Sequence, residues 1–144
     1  MEIVNEMRLD FRSCPENEAL ARMVISAFIM PVNPTLEQLG DVKTAVSEAV
    51  TNAIIHGYQG EVHTITIEGE LEGDLLTLRV RDEGVGIADI GQAMEPLYTS
   101  RPELERSGMG FLFMEAFMDE VLVESEPGKG TCVTLRKRIG RGKD

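Results

Sequence analysis

Glu48, Asn52 and His56 follow one another at four-residue intervals in a segment whose apolar residues recur with helical spacing. Three such positions share an arc of about 80° on one side of a helix. The apolar stripe centred on Val46 and Val50 lies on a different side. A solvated polar face would account for the triplet, yet asparagine is a poor helix former, and Ala45, Ala49 and Ala53 lie close beside it. Small residues around an amide and a carboxylate let another group approach the helix closely. A second candidate is Asp82-Glu83-Gly84-Val85-Gly86, directly after an alternating segment. A carboxylate at a strand end can accept a hydrogen bond, and two glycines after it let a ligand reach the backbone; a plain turn has the same composition. A third is Ser107-Gly108-Met109-Gly110. Glycines at a helix N-terminus expose amides and the positive end of the dipole to phosphate, or simply make a flexible entry. The fourth is Gly130-Thr131, which opens the last alternating segment and could be no more than a turn.

Ordinary elements must hold these residues. Met7, Leu9 and Phe11 alternate, which predicts a first strand. Ser13 and Pro15 signal a helix over about 16–30, with Leu20, Met23, Val24, Ala27 and Phe28 on its core face. Pro31 to Pro34 break it. Thr35 can cap a second helix whose stripe is Leu39, Val42, Val46, Val50 and Ala53, and Gly57 stops it. Alternation over 62–68 and 75–81, with Gly73-Asp74 between, predicts a hairpin. Residues 83–107 carry Gly84, Gly86, Gly91, Pro96 and Pro102 with little periodicity, and a loop of that length is functional or disordered. Residues 109–118 predict a helix that is apolar nearly all round and hence buried. Strands over 120–125 and 131–138, joined at Pro127-Gly128-Lys129-Gly130, complete the chain. This order predicts an α/β (α+β) two-layer sandwich: a mixed, mostly antiparallel sheet covered on one face by three helices.

A chain of 144 residues fits one domain, and it can bury enough surface to fold without metal or disulfide. Its net charge of −11 is uneven. Five of the 14 basic residues (Arg136, Lys137, Arg138, Arg141 and Lys143) fall in the last nine positions, leaving the remainder strongly acidic. Such a body repels phosphate backbones and anionic lipid, so neither nucleic acid nor a membrane surface is expected as partner. No apolar run approaches the length that spans a bilayer, and the N-terminus has no signal-like apolar region. Cys14 and Cys132 lack metal-binding spacing and read as reduced thiols. With only His56 and His63 as imidazoles, a zinc site is not expected. A cytoplasmic protein is the expectation.

The order and spacing of the motifs say more than any one of them. Glu48-x-x-x-Asn52-Ala53 with His56-Gly57, then Asp82-x-Gly84-x-Gly86, Gly108-x-Gly110 and Gly130-Thr131, resemble the N box and the three glycine boxes of the ATP-binding superfamily shared by gyrase, Hsp90, histidine kinases and MutL. The resemblance covers nearly the whole chain. Within that superfamily the stretches Ser47-Glu-Ala-Val-Thr-Asn-Ala-Ile-Ile-His-Gly-Tyr58, Glu105-Arg-Ser-Gly-Met-Gly-Phe111 and Phe117-Met-Asp-Glu-Val121 most resemble the small bacterial serine kinases that are also anti-sigma factors. This resemblance implies ATP/ADP and Mg²⁺ as ligands. It implies that Asn52 ligates Mg²⁺, which needs few protein ligands. It implies that Asp82 accepts the adenine amino group, where guanine would present an acceptor oxygen. Thr131 would support that bond, directly or through water. Gly84 and Gly86 would hinge a lid of about residues 87–107, mobile without nucleotide. Ser107, Gly108, Met109 and Gly110 would bind phosphates, and Arg106 would reach the γ-phosphate or the substrate. Glu48 would be the general base for in-line attack. His56 would close the helix end beside the pocket.

A histidine-kinase catalytic domain would need a phospho-accepting histidine, and neither His56 in the motif nor His63 in a predicted strand can serve. A gyrase- or MutL-like ATPase would need a further domain. The resemblance therefore implies a stand-alone, homodimeric serine kinase with two partners. It would hold and inhibit a sporulation sigma factor, and it would phosphorylate an anti-anti-sigma protein on serine. The alternatives are a nucleotide-dependent anti-sigma module with little catalysis and a related stress-response anti-sigma kinase; the presence of Glu48 favours catalysis. On the first helix Glu18, Arg22, Ile25 and Ile29 fall opposite the predicted core stripe. Two isoleucines exposed beside an ion pair would suit contact with a partner or a second copy.

Overall fold

Alternating apolar residues build a sheet with one dry face. The computed structural model describes residues 4–94 and 110–140. Its strands are β1 (Val4–Arg12), β2 (Thr64–Glu72), β3 (Leu75–Asp82), β4 (Glu120–Glu126) and β5 (Gly130–Arg138). They lie in the order β1-β2-β3-β5-β4, and every neighbouring pair is antiparallel. The sheet is thus wholly antiparallel among the described strands, where a mixed, mostly antiparallel one was expected. The β2–β3 and β4–β5 pairs are simple hairpins, the first turning at Gly73 with φ 61°. Phe11, Ile65, Ile67, Leu71, Leu76, Leu78, Val80, Val133 and Leu135 are buried. Side chains alternate across a strand, so these residues form one apolar face. β2 begins at Thr64, which leaves His63 just before the strand.

The helices are α1 (Asn17–Ile29), α2 (Leu36–Asn52), a single turn α3 (Ile90–Ala93) and α4 (Gly110–Phe117). α2 lies between α1 and α4 and buries Val42, Ala45, Val46, Ala49 and Val50. Its start is a capping box, as the Thr35 signal predicts. The Gln38 amide donates to Thr35 Oγ1 at 3.1 Å, and Gln38 Oε1 accepts the Thr35 amide at 3.0 Å. A cap of this kind contributes about 1 kcal/mol. The same Gln38 side chain also bonds both the carbonyl and the amide of Gly140, each at 3.0 Å, and so ties the exit of β5 to the start of α2. Among the described residues no helix is long and apolar enough to cross a membrane.

α1 is rotated from the expected orientation by about one residue's 100°. Ala21, Ile25, Phe28 and Ile29 are buried, while Leu20 and Met23 are 44% and 67% exposed and Ala27 is exposed. Ile25 and Ile29 therefore belong to the core, and the expectation that they flank a partner surface is corrected. The helix carries two adjacent apolar stripes, and packing decides between them. The pit above Gly69 of β2 admits Phe28 so closely that a Cβ on the glycine would come 3.0 Å from its ring. α4 is less enclosed than its composition suggests: Phe111 and Met114 are buried, but Glu115 and Ala116 are exposed.

Candidate functional site

Beyond Asn52 the α2 backbone does not stop. It widens into a π-helical turn over Ala53–Gly57, closed by the Tyr58 amide on the Ala53 carbonyl at 2.9 Å. Such turns are rare and concentrate at functional sites. The widening displaces His56 from the regular row it would otherwise share with Glu48 and Asn52. It also delivers Gly57 against the end of β3.

There the packing is tight. A Cβ on Gly57 would lie 2.7 Å from the Asp82 carboxyl carbon, and one on Gly84 would lie 1.9 Å from the Gly57 carbonyl oxygen. That carbonyl accepts the Val85 amide at 2.9 Å. Gly86 has φ 75°, and a Cβ there would meet the Glu126 carbonyl at 2.0 Å. Close backbone approach thus accounts for both loop glycines independently of any hinge. Tyr58 clamps the same loop: its hydroxyl accepts the Glu83 amide at 2.8 Å and donates to the Thr64 carbonyl.

Asp82 ends β3 directly opposite Thr131 of β5. Its carboxylate accepts the Gly84 amide at 2.9 Å. Burial pushes its pKa up to about 6, against a smaller downward pull from the amides of Gly84 and Thr131. Beside it opens a cavity of about 310 Å³, of ligand-pocket size, lined by Asn52, His56, Asp82, Gly86, Gly110 and Thr131 among others. Apolar walls come from Val80, Ile87, Phe111 and Val133. On the opposite side Gly110 opens α4 against α2. A Cβ on it would meet Asn52 Oδ1, Asn52 Nδ2 and Glu48 Oε2, each at 3.2 Å. Glu48 does not line the cavity but lies one turn before Asn52, on the same side of Gly110.

The structure brings together Glu48, Asn52, His56, Asp82, Gly84, Gly86, Gly110 and Thr131. Arg106, Ser107, Gly108 and Met109 lie outside the described residues, as does the lid beyond residue 94. Glu18 and Arg22 are not part of the cavity; they form an ion pair at 3.0 Å on α1. Sequence reasoning does not single out Tyr58 or Ser125. The latter's hydroxyl joins the Ile87 amide (2.7 Å), the Gly130 carbonyl (2.8 Å) and Thr131 Oγ1 (2.9 Å). The one available signal was a serine at an inward position of an otherwise apolar alternation, Val121-x-Val123-x-Ser125.

The described residues contain no group of three or more His, Cys, Asp or Glu able to hold a metal. A cation here would have the Asn52 amide oxygen and little other protein ligation. Mg²⁺, which retains several waters and is completed by phosphates, fits that sparse oxygen set; zinc does not.

The chain matches the family described as the histidine kinase-like ATPase domain over residues 11–137. The anti-sigma F factor of Thermoanaerobacter sp. is 54% identical over 143 residues, covering 99% of this chain and 100% of that one. That of Clostridium acetobutylicum is 56% identical over 135 residues, 94% of each chain. That of Geobacillus thermodenitrificans is 55% identical over 140 residues, 96% of each. Among solved structures, the RsbU and RsbW domains of a Mycobacterium tuberculosis protein superpose with a TM-score of 0.67 at 21% identity, over 96% of this chain and 33% of that one. A histidine kinase domain from Erythrobacter litoralis superposes with a TM-score of 0.54 at 22% identity, over 72% of this chain and 45% of that one. The two structures share the fold. The family match over residues 11–137 and the sequence relatives, similar nearly from end to end, show that the chain belongs to the histidine kinase-like ATPase family, in its anti-sigma F factor branch.

Proposed function

We propose that the protein is an ATP-dependent protein serine kinase and anti-sigma factor. In its ATP state it binds and inhibits a sigma factor, and it phosphorylates an anti-anti-sigma protein on serine. The observation that carries this reading is the gathering of Glu48 and Asn52 about Gly110, at one side of a cavity whose other end is the buried carboxylate of Asp82. Asp82 receives the adenine amino group. Asn52 presents its amide oxygen to Mg²⁺, which neutralises phosphate charge when bound. Glu48 orients the substrate serine and takes its proton. The serine oxygen bonds to the γ-phosphorus as the bond to the β–γ bridging oxygen breaks, leaving ADP and phosphoserine. The apolar walls exclude water, which would otherwise compete as nucleophile. Arg106, Ser107, Gly108 and Met109 are assigned to the phosphates by their place in the motif.

The whole chain acts in this reading as one domain, and as a homodimer. Glu18 and Arg22 are assigned to partner contact. Support comes from the exposed Leu20 and Met23 on the same helix, which leave apolar surface beside the ion pair. The test is incubation with γ-labelled ATP and candidate anti-anti-sigma proteins, followed by identification of the labelled residue. Label on a serine is the expected result. Tight ATP binding with no transfer to any candidate would replace the kinase by a nucleotide-dependent binding module.

A further inference from the structure

Ser125 sits on the inner face of β4, in register with Thr131. Its three polar neighbours fix where protons lie. A serine hydroxyl has one proton to give; a backbone amide can only donate, and a carbonyl can only accept. Ser125 Oγ must therefore accept from the Ile87 amide (2.7 Å) and donate to the Gly130 carbonyl (2.8 Å). The remaining contact, 2.9 Å to Thr131 Oγ1, is left for the threonine to donate. With its proton engaged in this way, Thr131 turns only lone pairs towards the cavity. Across the β3–β5 ladder its partner is Asp82, whose ionised carboxylate also offers only lone pairs. Two acceptors side by side favour a ligand edge rich in N–H and repel one that brings an oxygen.

We infer that Ser125 is a specificity-determining residue: by holding the Thr131 hydroxyl as an acceptor, it makes the pocket prefer a base bearing an amino group at that edge over one bearing an oxo group. This rests on the nucleotide-binding reading above. A threonine hydroxyl released from Ser125 would rotate and donate to an oxo oxygen, so the preference would weaken although no residue touching the base had changed. Ser125 acts through Thr131 and is a positioning residue, one that no glycine-box motif includes.

The test compares the affinities of ATP and inosine triphosphate, which carries an oxo group in place of the adenine amino group, by calorimetry at pH 8. The wild-type protein should prefer ATP. In Ser125→Ala the ratio of the two affinities should fall about tenfold, the scale of one mismatched buried polar contact. Ser125→Thr, which keeps the hydroxyl, should retain the ratio. In a Thr131→Val background Ser125→Ala should leave the ratio unmoved, since the hydroxyl it orients is gone. Loss of the Ile87 contact lowers both affinities together, so a merely structural serine would leave the ratio unchanged in Ser125→Ala, and that result overturns the inference. Failure of the wild-type protein to bind either nucleotide would instead overturn the nucleotide site itself. Thermal melts of each variant confirm that folded protein is compared.

Discussion

Gly57 and Asp82 approach so closely that a methyl group on the glycine would lie 2.7 Å from the aspartate's carboxyl carbon. The two substitutions that fill this joint should behave differently. Gly57→Ala pushes a side-chain end, the Asp82 carboxylate, out of its place in the cavity wall. ATP affinity should fall more than tenfold while the protein stays folded. Gly84→Ala drives a Cβ into the Gly57 carbonyl, a backbone atom, at 1.9 Å. Its melting temperature should fall further than that of Gly57→Ala. Paired calorimetric titrations and thermal melts would check both, and the reverse order of melting temperatures would contradict the packing argument.

Asp82 makes stability and binding respond to pH in opposite directions. Its folded pKa of about 6 lies above the usual 3.8, so folding favours the protonated form. As pH rises from about 4 through 6 the fold loses stability, and above that range it carries the full cost of a buried carboxylate, about 3 kcal/mol. Asp82→Asn keeps an oxygen for the Gly84 amide. It should stabilise the ligand-free protein by about that amount at pH 8 and by nothing below pH 4, as read in urea titrations. Nucleotide binding uses the ionised form, so wild-type affinity should weaken as pH falls through 6. Asp82→Asn should bind weakly and lose that slope.

Glu48→Gln preserves the shape of the side chain beside Gly110. ATP affinity should stay within severalfold of wild type, while phosphoryl transfer at saturating ATP falls about 10²-fold or more. A near-normal transfer rate would remove Glu48 from the chemistry.

Lys137 braces α4 from behind. Its ammonium donates to the Phe117 carbonyl at 2.7 Å, in the last turn of the helix, and lies 3.8 Å from Asp41 of α2. A cation there satisfies an orphan carbonyl and complements the helix dipole. Lys137→Met keeps the apolar stem and should cost about 1–2 kcal/mol in a urea titration. Wild-type stability would mean that Phe117 finds another partner.

What the sequence makes legible here is local. The Thr35 cap, the α2 stripe and the strand alternation all depend on neighbours a few residues apart, and they are found as expected. The face of α1 is not local. Leu20, Val24 and Ala27 make as regular a row as Ala21, Ile25 and Phe28, and only the pit over Gly69 on a distant strand chooses between them. The π-helical turn is likewise silent, because nothing in Ala53-Ile-Ile-His56 distinguishes a widened turn from a regular one. Gly57 reads as a helix stop, and its contact with Asp82 comes from chain geometry that no spacing rule contains. At the site, residue types announced Asn52, Asp82 and the glycines. Ser125 stayed hidden because its role lies in a proton's direction, which depends on three partners from separate segments.

The register that sets Asp82 opposite Thr131 also bears on how the chain acquires its pocket. These two residues are remote in sequence, and they meet only when β3 and β5 zip together across the long intervening segment. Closing that gap is a slow, entropically costly event, typical of sheets built from distant pairings. Until it is complete neither acceptor has its companion, and a nucleotide finds nothing to hold. Nucleotide should therefore act as a brake on unfolding rather than a template for folding: the unfolding rate slows with ligand while the refolding rate stays where it was.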